Sequence, residues 1–210
     1  MPTKPADPRT TPFPVGQAAV ANDRPWWVGM SLWPLLLPVA CVGLTALAQQ
    51  MNWGWLIEKA NHEVIAPPIL ALTVVLLAAA WWRTRAELVL ALLVVSVAFL
   101  CREIHFAGSD LLAHLTLLVV TLWTWRRWPQ MRATLAAWPA RCWLVASFAS
   151  YVLSQVVARR LFRGLPNERA LHVPVEEFLE TVAHVLFLWT AWLAFRGPVP
   201  PDEKLRTPAD

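Results

Sequence analysis

Charge is scarce in this chain. Only 15% of its 210 residues are Asp, Glu, Lys or Arg, against about 25% in an ordinary soluble domain. Cysteine is scarcer still. The three present, Cys41, Cys101 and Cys142, are scattered, with no CxxC pair among them. That excludes a disulfide framework and a zinc knuckle, and leaves them as small apolar packing residues. No HExxH motif occurs, so the usual zinc-peptidase signature is missing. The formal net charge is +4, but the basic residues form short clusters rather than one continuous face. Nucleic acid is therefore not an expected partner. No internal repeat is evident.

What is abundant is apolar surface. Hydrophobic residues make up 57% of the chain, in repeated runs of nearly twenty. Runs of that length point to an all-α, polytopic membrane helix bundle. Residues 1–25 are polar and proline-rich, without periodicity, and read as a disordered cytoplasmic tail. Residues 26–196 read as the membrane domain, and 197–210 as a second cytoplasmic tail. Thr45 to Ala48 resemble a small-residue cleavage site. The run before them holds Trp33, Pro34 and Pro38 and follows a long tail, so it is read as a spanning helix.

Six transmembrane helices are expected. The first covers 27–48 and should kink at its prolines. The second starts at Pro67-Pro68, where proline suits a helix start, and ends at Trp82. The third covers 86–101. The fourth begins at Ser109-Asp110, a good N-cap, and ends at Trp125. The fifth covers 142–158, and the sixth runs from Pro174 to about Phe195.

Orientation follows from Lys and Arg. One set of helix ends carries twelve of them; the other carries six, Lys59, Arg102, Arg159, Arg160, Arg163 and Arg169. The bias puts both termini in the cytoplasm and the protein in the inner membrane. Twelve of the fourteen tryptophans also lie near the basic ends. All five histidines and eight of the fourteen acidic residues fall on the opposite, outer side.

Ionisable groups are costly in a bilayer, so those entering the spans mark a candidate site. On the sixth helix Glu177, Glu180 and His184 are spaced i, i+3, i+7 and share a face. At about 1.5 Å per residue, His184 lies roughly 15 Å below Pro174, near the bilayer midplane. On the fourth helix Asp110 and His114 repeat the i, i+4 acid–histidine spacing. Glu103 and His105 precede it. Plainer roles compete: Glu176 and Glu177 complement a helix dipole, Asp110 is placed to cap, Arg102 and Glu103 suit an interfacial ion pair, and His62 and His172 default to solvated surface.

Carboxylate and imidazole together suit Zn²⁺, Mn²⁺ or Fe²⁺. The expected metal ligands are His114, Glu180 and His184, with an open position for water. Glu177, Asp110 and Glu103 are the candidate catalytic or supporting carboxylates. His105, Arg159 and Arg160 are accessory positions, the arginines suited to Glu176, Glu177 or lipid phosphates. The arrangement would fit metal-assisted hydrolysis of a lipid-like substrate at the outer leaflet. From a different class, the same residues suit a non-catalytic membrane protein binding a lipid headgroup, ion or partner. A proton relay is a further possibility, although the inner half of the bundle offers no matching titratable groups. Haem ligation by His114 and His184 ranks lower, because the two lie at different depths.

Overall fold

Proline breaks this chain less than its sequence suggests. The computed structural model of the protein describes residues 25–161, 163–164 and 168–197. The expected N-terminal tail, all but the start of the C-terminal tail and part of the 159–169 connection lie outside them. A short turn over Trp33–Leu35 leads into helix α1, Leu36–Gln50. Four residues, Gly54–Ile57, form the small helix α2. Helix α3 then runs unbroken over Lys59–Thr84 with Pro67 and Pro68 inside it. The expectation of a start at Pro67 is corrected: eight residues of helix precede it. They are fixed by tertiary contacts that local sequence does not reveal. His62 is buried and held at both ring nitrogens, and Lys59 reaches Glu63 at 3.4 Å and Glu177 at 3.0 Å.

Helices α4, Glu87–Glu103, and α5, Ser109–Arg126, stand where the third and fourth were expected. Capping of α5 differs from expectation. The N-cap is Gly108, at a φ of 87°, and Ser109 and Asp110 lie in the first turn. That left-handed conformation favours glycine, which has no Cβ to clash. The expected Arg126–Arg141 loop contains a helix of its own, α6, Trp128–Ala137. Pro129 opens it, where a missing N–H costs nothing. Helix α7 covers Arg141–Ala158. Helix α8 covers Glu168–Arg196, so it also begins before its proline, Pro174. His172 accordingly sits in a helix, partly buried, rather than in an exposed loop.

Helix α8 is the hub. It packs against α1, α3 and α7, while α4 joins α3 to α5. Close approach is possible because Ala183, Thr190, Ala191 and Ala194 on α8 are all fully buried; small side chains let helix backbones approach in membranes. Outward faces are apolar instead: Leu72, Val75, Leu118, Leu122 and Val152 are all exposed.

The described residues form helices and no strands. Four stretches are long and apolar enough to cross a membrane: Trp33–Gln50, α3, α7 and Ala170–Arg196. The other two expected spans are marginal for physical reasons. Helix α4 has 17 residues, about 25 Å at the standard rise, which is short of a ~30 Å hydrocarbon core. Helix α5 carries Asp110, His114 and Arg126.

Candidate functional site

Helices α4, α7 and α8 meet around one buried carboxylate, Glu180. It is 8% exposed. Arg102, at the last turn of α4, donates from Nη2 to Oε1 at 3.2 Å and reaches Oε2 at 3.5 Å. From α7, Gln155 Nε2 donates to Oε1 at 3.1 Å, and Ser154 Oγ lies 3.5 Å from the same oxygen. Ser154 also donates to the Tyr151 carbonyl at 2.8 Å. A buried charge survives only when paired and hydrogen-bonded, and Glu180 has both. The pair lies where α4 ends, so the cation also complements that helix's C-terminal dipole.

One turn further along α8 is His184, 2% exposed. Its ring packs edge-on to Tyr151, the chain's one tyrosine, with centroids 5.4 Å apart. Two buried polar atoms here have no hydrogen-bond partner: His184 Nδ1 and the Tyr151 hydroxyl. Phe99 also packs on Tyr151, its ring tilted and the centroids 4.6 Å apart. Beyond His184 on the same helix, Phe187 is fully buried. The buried hydroxyls in this half are already spoken for. Ser147 donates to the Ala183 carbonyl at 2.9 Å and Thr190 to Leu186 at 2.8 Å.

A second polar knot lies between α2, α3 and α8. His62 is 6% exposed, which corrects the expectation of a solvated side chain. Its Nε2 is 2.9 Å from the Leu56 carbonyl, and its Nδ1 is 2.9 Å from Thr181 Oγ1. A carbonyl only accepts, so Nε2 carries a proton. In the neutral ring Thr181 then donates to Nδ1. The ring also packs edge-on to Phe178. The turn of α3 before Pro67 is thereby stapled to α8.

The remaining expected site residues disperse. His114 is exposed on α5, and its Nδ1 donates to the Asp110 carbonyl at 2.6 Å. Helix α5 packs on α4 and α6, so His114 does not join His184 in a shared core. Asp110 is an exposed rim group, 3.8 Å from Arg102 Nε. Glu177 pairs with Lys59 at 3.0 Å, not with Arg159 or Arg160. Glu103 is partly buried at the end of α4; its carbonyl accepts from His105 Nδ1 at 2.7 Å. His105 is exposed, at a φ of 54°. Arg159 is exposed as the C-cap of α7, and Arg160 follows at a φ of 52°.

The structure thus brings Glu180 and His184 together with Arg102, Tyr151, Ser154 and Gln155, and leaves His114 outside. Among the described residues no group of three or more His, Cys, Asp or Glu side chains could hold a metal ion. The expected trio is not brought together, for two reasons. His114 points away from the core, and Glu180 is already bonded to a guanidinium and an amide. Sequence reasoning missed Tyr151 altogether. The available signal was the lone tyrosine one turn before Ser154-Gln155, inside an apolar span. Among known proteins, no family model, no curated sequence and no solved structure matches the chain.

Proposed function

We propose that this chain is a six-span protein of the inner membrane, both termini cytoplasmic, that binds the polar end of a small or lipid-like ligand at the α4–α7–α8 junction and does not transform it. One observation carries the reading: His184 Nδ1 and the Tyr151 hydroxyl are buried without partners on two rings in edge-on contact, next to a charge pair that is satisfied. Leaving a buried polar group unmade costs about 1–3 kcal/mol, so two together mark a place where something else bonds. The bias of Lys and Arg supports the orientation, and the tryptophans support the alternation of the spans. Metal-assisted hydrolysis finds less support, because Glu180 is committed to Arg102 and Gln155. A ligand here needs a group that both donates and accepts, such as a hydroxyl or amide.

Tyr151→Phe tests this through the sign of its effect. With a ligand bonded to the hydroxyl, the substitution removes a hydrogen bond and destabilises by about 1 kcal/mol. With nothing there, it removes an unpartnered hydroxyl and stabilises. Native mass spectrometry of protein from its own membrane should show a bound mass that Tyr151→Phe and His184→Leu both remove. Stabilisation by Tyr151→Phe, with no bound mass on the parent protein, would refute the proposal.

A further inference from the structure

The half of the bundle away from Glu180 holds a different space. A cavity of about 780 Å³ lies between α4, α5, α6 and α7. Its walls include Leu92 on α4, Leu117 and Val120 on α5, Met131 on α6 and Phe148 on α7. Charged side chains are absent from the lining. Thr124, Trp125 and Trp128 line the end where α5 turns into α6. The volume is in the range of small-molecule sites, roughly 300–1,000 Å³, but the lining lacks the convergent polar groups that orient a water-soluble ligand. It suits hydrocarbon.

What fills it is indicated by the surroundings of that end. Trp125 is 83% exposed and Trp128 37%, and indoles of this kind settle at headgroup level. Arg126 is exposed between them, and Arg127 and Arg132 follow. Glu87 lies 3.8 Å from Arg127 and offsets it, so the exposed Arg126 is the cation that makes the mouth basic. Amphipathic packing fixes the floor: α6 buries Met131, Thr134 and Leu135. A basic, indole-lined mouth above an apolar chamber matches an anionic head joined to a chain.

The geometry points to a lipid site: one acyl chain of an anionic phospholipid occupies the α4–α5–α6–α7 cavity, with its phosphate at the Trp125–Arg126–Trp128 turn. The site is separate from the polar junction at Glu180, and Phe99, Tyr151 and Phe148 lie between the two. Helix α5 holds it because it packs on α4 and α6 and leaves the space towards α7 open. The chain therefore enters from the bilayer rather than from water.

The test uses the full chain in phosphatidylcholine nanodiscs containing phosphatidylglycerol with a diazirine in one acyl chain. Cross-linked peptides are mapped after illumination. Labelling should concentrate on Leu92, Leu117 and Phe148, well above the lipid-facing Leu118 and Leu122. Ala91→Trp, which fills the cavity from α4, should lower cavity labelling about tenfold and leave Leu118 labelling unchanged. If that variant does not fold, Leu117→Trp serves in its place. A diazirine phosphatidylcholine probe should label the cavity far less. Equal labelling of the two faces of α5, equal labelling by the two headgroups, or labelling unchanged by the filled cavity would each overturn the site.

Discussion

Removing Arg102 should harm this protein more than removing its partner. Arg102→Leu leaves Glu180 buried, with Gln155 donating to it and Ser154 Oγ at 3.5 Å, its proton already given to the Tyr151 carbonyl. Stranding one member of a buried pair usually costs about 3–5 kcal/mol. The one full donor that remains places this case inside that range, about 3–4 kcal/mol. Glu180→Leu strands Arg102 instead. That side chain is 31% exposed and already lies 3.8 Å from Asp110, so solvent and a second carboxylate share its charge. The cost should be about 1–2 kcal/mol. The double replacement substitutes an apolar contact for an ion pair, a change that is often neutral or better, so it should cost less than either single. Reversible unfolding in mixed micelles gives all four stabilities and hence the coupling energy. Two single costs of similar size that simply add would refute the pairing as the organising contact of the junction.

His62→Ala should cost about 2 kcal/mol, because it strands the Leu56 carbonyl and the Thr181 hydroxyl inside the protein. Thr181→Val should cost less, about 1 kcal/mol, since the Leu56 bond survives; the same unfolding assay ranks the two. For topology, a cysteine at position 105, with Cys41, Cys101 and Cys142 replaced, should react with an impermeant thiol reagent on intact cells. Reaction confined to inverted vesicles would reverse the orientation.

Four of the expected spans were legible because apolar length and periodicity are local properties. The helix starts were not. Pro67 and Pro174 looked like beginnings, yet each lies within a helix, and the contacts that hold the preceding turn of α3 come from α2 and α8. Such long-range stapling leaves no local trace. Glu180 and His184 were readable as a site because their spacing and depth follow from helix geometry alone. Their true companions were not, since which helix faces which is decided by packing. Arg102 looked like an interfacial partner for the adjacent Glu103, and Tyr151 was hidden inside an apolar run. His114 had the same local pattern, an acid four residues earlier, but α5 turns it outward. Local spacing identifies what can meet on one helix; small residues such as Ala183 and Ala191 decide which neighbour comes close.

The central claim is that His184 Nδ1 and the Tyr151 hydroxyl bond a ligand. An experimental density map of the protein purified in native lipid, resolved well enough to show ordered waters, tests it most directly. Non-protein density of more than a single water, within hydrogen-bond distance of both atoms, about 2.7–3.2 Å, is the predicted result. No density beside these two atoms beyond one water, or either atom bonded to the other or to protein groups, would contradict it.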